Sequence, residues 1–226
     1  MLSHYKASLQ GVADPVARVL LRARVRANHL TVLGLGVSIL AGWALAQGRL
    51  RLGAALLAVA GLFDFFDGSL ARLSGQESDF GAFLDSVVDR YSDLVVMLGI
   101  LLFYHRAQDF PGAAFTMAAL VGTVMVSYTK ARAQSIGVGC EIGLMERPER
   151  LIVLIAGATF HLLTPAMAVL AVLTNTTALQ RIVYTRRVSR SALPSLPVGE
   201  EGTVKEKAHA VPPAPVPSAP KGGRGT

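Results

Sequence analysis

The sequence predicts an all-α, polytopic membrane protein: six transmembrane helices, an interfacial amphipathic helix before them and a disordered C-terminal tail after them. Three observations carry this. Of 226 residues, 52% are apolar (AVILMFWYC) and only 16% charged, with a mean hydropathy of +0.46, where a soluble domain is about 25% charged. The basic residues punctuate long apolar runs instead of being spread through them. The prolines concentrate after Arg190. A small soluble protein this apolar could not cover its own surface, and disorder over the whole length is excluded. The net charge of +7 would suggest nucleic acid in a soluble protein; here it reads as Lys and Arg flanking membrane spans. The single cysteine, Cys140, excludes an internal disulfide framework and a multi-cysteine zinc site.

Residues 1–29 read as a helix lying on the membrane. Asp14-Pro15 is an N-cap followed by proline at the first helical position. Val16, Val19 and Leu20 share one face, with Arg18 and Arg22 stacked beside it, as suits an anionic interface. The rival reading is a signal peptide with Ala44-Leu45-Ala46 as its cleavage site, but the basic region is too long for one. The six spans follow at Leu30–Ala46, Leu52–Phe66, Phe83–Tyr104, Pro111–Val126, Leu151–Leu163 and Ala166–Tyr184, within a membrane domain of residues 30–190. Several fall short of the ~20 residues that cross a hydrocarbon core. Their missing turns must come from flanking polar residues. Placing both termini on one side gathers most Lys and Arg there and leaves only Arg49, Arg51 and Arg106 opposite. The positive-inside rule then puts both termini in the cytoplasm. Residues 191–226 hold Pro212, Pro213, Pro215 and Pro217 and almost no large apolar residue, so they read as a disordered tail.

The most informative stretch runs from Asp64 to Asp89. Asp64 and Asp67 are i,i+3 at the cytoplasmic end of the second span, so they share a face. Gly81, Asp85 and Asp89 form an i,i+4,i+8 ladder on the third span, rising ~6 Å per step. The short linker makes the two helices antiparallel neighbours whose carboxylates converge. An ionised carboxylate in a membrane helix costs at least ~2.5–3.5 kcal/mol. Bound divalent cations are the simplest compensation, and oxygen ligands favour Mg²⁺ or Mn²⁺ over zinc. Salt bridging alone would need more partners than Arg72 and Arg90, which lie near Asp64, Asp67, Asp85, Asp89 and Asp93 in sequence. Gly68, Ala71 and Gly81 open a slot against the backbone, and Arg72 suits a phosphate within it. Helix packing is the alternative use of such small residues.

The order D-x-x-D-G-x-x-A-R-x8-G-x3-D-x3-D, complete from Asp64 to Asp89, resembles the signature of the CDP-alcohol phosphatidyltransferase family. The resemblance extends across all six spans and not to the tail. It implies an integral-membrane enzyme of six transmembrane helices, usually a homodimer. Such enzymes transfer a phosphatidyl-type group from a CDP-linked lipid, CDP-diacylglycerol, to an alcohol acceptor, releasing CMP. It further implies that Asp64, Asp67 and Asp85 ligate Mg²⁺ or Mn²⁺, two ions with Asp89 also in reach, and that Asp89 is the general base. Gly68, Ala71, Arg72 and Gly81 then shape the CDP site. The family's first span usually opens Pro-Asn-x-(Leu/Ile)-Thr; here it reads Ala27-Asn28-His29-Leu30-Thr31. The proline is missing, while Asn28 and Thr31 remain as polar groups for CDP.

Lys130 and Arg132 end the fourth span, and Arg147 and Arg150 open the fifth. Together they could form a cationic pocket for an anionic acceptor, or simply flank the spans. Choline would call for an aromatic cage, and aromatics are 7% of the chain. The Lys-Ala-Arg-Ala and Glu-Arg-Pro-Glu-Arg stretches are similar to those of the phosphatidylinositol-phosphate synthase branch and its archaeal relatives. The expected acceptor is a phosphorylated polyol, inositol 1-phosphate, with glycerol 3-phosphate as runner-up. A cation transporter would also use a carboxylate ladder, but it leaves Gly68, Ala71 and Arg72 unexplained and would release no CMP.

Overall fold

The structure, a computed structural model, describes residues 27–74 and 78–191. Within these every regular element is an α-helix: α1 (Ala27–Ala46), α2 (Leu50–Ser74), α3 (Asp79–Ala107), α4 (Phe110–Ser135), α5 (Arg147–Thr159) and α6 (Leu163–Ser191). The interfacial helix expected over 1–29 falls almost wholly outside the described residues, as does the tail expected over 191–226. So do the side chains of Ala71 and Arg72.

Each expected span lies within or across one helix, and the helices are longer at their polar ends. α2 continues through the whole Asp-rich motif to Ser74, and α3 begins four residues before Phe83. Ser78 caps α3, its hydroxyl accepting from Gly81 N at 3.0 Å. Asp109 caps α4 in the same way on Gly112 N at 2.9 Å, with Pro111 in the first turn. α5 differs most from its expected range of Leu151–Leu163. It starts at Arg147, because Pro148 is suited to a first turn. It ends at Thr159, because His161 turns left-handed (φ 59°) before α6. α1, α4 and α6 are each long and apolar enough to cross a membrane, which makes this an integral membrane protein. α2 and α3, of 25 and 29 residues, carry the carboxylates. α5 has 13 residues.

α1 packs against both α2 and α3. Its contact with α3 is backbone on backbone: a Cβ on Gly99 would lie 2.1 Å from Gly42 O. Leu45, Leu50, Leu57, Met97, Ile100, Tyr104, Leu163, Met167 and Leu170 form the core. Much of it gathers toward the end where α1 turns into α2. The carboxylates lie toward the other end, where the N-terminal turns of α1 and α3 meet the C-terminal half of α2.

Candidate active site

α1 sets the register of the carboxylates. Thr31 Oγ1 donates to Asp67 Oδ2 at 2.8 Å, and Asp67 is only 6% exposed. Asn28, one turn earlier, lies beside Gly81, where an added Cβ would sit 3.6 Å from Asn28 Oδ1. Asn28, Thr31 and Gly81, far apart in sequence, therefore stand at the same end of the helices as the aspartates. Asp64, Asp67 and Asp85 each bring one carboxylate oxygen within 4.8 Å of the others. Asp85 Oδ1 is buried and has no hydrogen-bond partner among the described residues, a costly state for a carboxylate oxygen. A converging all-oxygen set with an orphaned oxygen fits a hard divalent cation.

The remaining carboxylates meet arginines. Arg147 Nη1 contacts Asp64 Oδ2 and lies 2.8 Å from Asp89 Oδ1, with its Nε 3.9 Å from Asp93. Arg150 Nη2 donates to Asp93 Oδ2 at 2.7 Å. Arg150 is 4% exposed. Removing one partner of a buried ion pair strands the other, at about 3 kcal/mol or more. Asp93→Ala should therefore lower the thermal unfolding temperature in detergent, whereas the double change Asp93→Leu with Arg150→Met should recover most of the loss. Equal loss in both variants would remove the pair as the cause.

Beside Asp89 opens a cavity of about 190 Å³, bordered by Asp89, Asp93, Ser127, Lys130, Arg147, Arg150 and Arg181. Three of the four cations expected for an acceptor, Lys130, Arg147 and Arg150, line it. Arg132 does not: it is exposed, and its Nη1 donates to Ser135 Oγ at 3.2 Å. Arg181 is legible in the sequence only as a basic flank of the last span, yet it is 2% exposed. Its guanidinium holds Val126 O at 2.6 Å, Ile142 O at 2.7 Å and Glu146 Oε1 at 3.3 Å. It thus pins the loop before α5 to the C-terminal half of α4. Met145 N donates to Thr177 Oγ1 at 3.1 Å and fixes the same loop to α6. The available signal was a charge set inside an apolar span: Arg181 follows Leu179 and precedes Ile182 and Val183.

An all-helical membrane protein, with carboxylates gathered for a hard cation and a cationic cavity next to them, is equipped for chemistry on phosphate esters. Comparison with known proteins gives the family. The model of the CDP-alcohol phosphatidyltransferase family matches residues 24–184. Archaetidylinositol phosphate synthase of Methanothermobacter thermautotrophicus is 38% identical over 190 residues, covering 81% of this chain and 93% of that protein. Phosphatidylinositol phosphate synthase of Mycobacteroides abscessus is 35% identical over 202 residues, covering 84% and 90%. The crystal structure of Mycobacterium tuberculosis phosphatidylinositol phosphate synthase with CDP-DAG bound superposes with a TM-score of 0.72 at 34% identity, covering 77% of this chain and 93% of that one. The same protein in complex with manganese and citrate gives 0.73 at 34% identity, covering 77% and 88%. The chain belongs to the CDP-alcohol phosphatidyltransferase family and is an enzyme of phospholipid biosynthesis.

Proposed function

We propose that the protein transfers the phosphatidyl group of CDP-diacylglycerol to inositol 1-phosphate, forming phosphatidylinositol phosphate and CMP. The observation that carries the acceptor is the cavity beside Asp89, where Lys130, Arg147, Arg150 and Arg181 converge. A phosphorylated polyol needs such a cationic wall next to the base that takes its proton. The names of the relatives and the manganese and CDP-DAG complexes of a solved one support the same reading.

In this mechanism Asp64, Asp67 and Asp85 hold Mg²⁺ or Mn²⁺, with Asp89 in reach of a second ion. When bound, the cations neutralise charge on the diphosphate and its leaving oxygen. Asn28, Thr31, Gly68, Ala71, Arg72 and Gly81 border the CDP moiety. Asp89 accepts the proton of the acceptor hydroxyl. The acceptor oxygen forms a bond to the lipid-bearing phosphorus in line with the bridging oxygen, whose electron pair departs with CMP. Lys130 orients the acceptor phosphate. All six helices lie in the membrane, both termini and the site face the cytoplasm, and the enzyme works as a homodimer. The catalytic unit is residues 30–190.

Purified protein offered CDP-diacylglycerol with inositol 1-phosphate, glycerol 3-phosphate, free inositol or serine should make phosphatidylinositol phosphate and release CMP. Preference for glycerol 3-phosphate would replace the acceptor. Absence of CMP with every acceptor would overturn the transferase reading. Lys130→Ala should raise KM for inositol 1-phosphate at least ~10-fold, the scale of one lost charged contact, while KM for CDP-diacylglycerol stays unchanged.

A further inference from the structure

Arg147 stands at a junction. It borders the cationic cavity and also the narrow cleft lined by Thr31, Gly34, Asp64, Asp67 and Asp89. Its guanidinium rests on Asp64 and Asp89, and Asp64 is one of the three carboxylates that converge for a cation. A cation held by Asp64 would stand close to the guanidinium and repel it. An arginine cannot relieve that repulsion by losing its proton; it can relieve it by moving. Its position allows this. Arg147 is the first residue of α5, after an extended Glu146 (φ −83°, ψ −176°), so no preceding helical turn restricts its rotamers. Its side chain keeps 27% of its accessible surface. The space it can turn into is the cavity, which Lys130 and Arg181 already border.

We propose that Arg147 is an exchangeable counter-ion. Without a divalent cation it neutralises Asp64 and Asp89; when the cation binds, Arg147 swings into the cavity and becomes part of the acceptor-phosphate site. This rests on the reading of Asp64, Asp67 and Asp85 as the cation ligands. The exchange does two things at once. It frees the Asp89 carboxylate from its ion pair, and it completes the acceptor pocket. Cation and acceptor therefore bind with positive coupling, and by linkage each raises the affinity of the other by the same factor.

The test measures binding, without turnover. Full-length protein in detergent, free of CDP-lipid, is titrated with Mn²⁺ and the free ion followed by electron paramagnetic resonance. Arg147→Gln should bind Mn²⁺ about tenfold more tightly than the unaltered protein, within the usual range of such couplings. Arg147→Lys, which keeps the charge without the planar fork, should fall between them. A merely structural arginine would give the opposite sign, since its loss would loosen the site. In the unaltered protein Mn²⁺ should tighten the binding of inositol 1-phosphate, read by calorimetry; in Arg147→Gln that tightening should vanish. Equal or weaker Mn²⁺ binding in Arg147→Gln would overturn the exchange while leaving the cation site standing. Asp64→Asn with Asp85→Asn separates the other failure. If the unaltered protein binds no more Mn²⁺ than this double variant, the cation reading itself falls and the exchange with it.

Discussion

Replacing Asp89 by asparagine should lower CMP release from CDP-diacylglycerol by about 10³-fold, the middle of the range for loss of a general base. Asparagine keeps the volume and can still hydrogen-bond, but it cannot take the hydroxyl proton. Asp89 borders both the cleft and the cavity, whereas Asp64, Asp67 and Asp85 form the converging set without it. CDP-lipid binding by calorimetry should therefore change little, and Mn²⁺ should still bind. Arg147 loses one of its carboxylates but keeps Asp64, with Asp93 nearby, so the fold should stand. Full activity in Asp89→Asn would sink the base assignment. Loss of Mn²⁺ binding along with activity would move Asp89 from base to essential ligand.

The largest structural effect should come from a residue with no chemistry. Gly99→Val places a branched side chain where α1 and α3 touch. Its Cβ would stand 2.1 Å from Gly42 O and 2.7 Å from Gly42 Cα, contacts that only backbone movement can relieve. Overpacking of this kind costs about 3 kcal/mol, enough to lower the unfolding temperature and the yield of monodisperse protein. The same separation would shift Asp85 on α3 away from Asp64 and Asp67 on α2, which packs on α1 through Thr31 and Asp67, so the protein that does fold should bind Mn²⁺ poorly. Gly36, on the same helix as Gly42, has nothing within 4 Å of its added Cβ, and Gly36→Ala should leave stability equal or slightly higher. Equal tolerance at both positions would show that the α1–α3 contact does not set the site.

The aspartates are legible in the sequence because their spacing is helical. Residues i,i+3 and i,i+4 apart share a face whatever the helix packs against, so spacing alone pairs Asp64 with Asp67, and Asp85 with Asp89. The partners that cross between helices are not legible. Thr31 bonding Asp67, Arg147 lying on Asp64 and Asp89, and Arg150 on Asp93 join positions far apart in sequence, and no periodicity encodes them. Lys130 and Arg132 read as one cluster, yet residues two apart do not face each other on a helix. Lys130 accordingly lines the cavity while Arg132 turns back on Ser135. Arg181 reads as a flank because charge near the end of an apolar run ordinarily is one; its three acceptors belong to other segments. Hydropathy puts the start of α5 at Leu151, whereas its charged first turn, Arg147 to Arg150, is turned inward onto the carboxylates.

The pairing of early carboxylates with late arginines bears on how the protein is made. Asp64, Asp67, Asp85, Asp89 and Asp93 all lie on α2 and α3, and Arg147 and Arg150 lie on α5. During synthesis the first three helices exist well before the fifth. For that interval the carboxylates have α1 to pack against and neither Arg147 nor Arg150 to neutralise them, in a solvent where unpaired charge is costly. The nascent hairpin must then keep that end wet or hold free cations there, until α5 arrives and closes the bundle over it. Helix α5 is thus the piece that turns an inserted chain into a settled one, and truncation before it would leave a membrane protein whose carboxylates lack Arg147 and Arg150, of the kind that quality control removes.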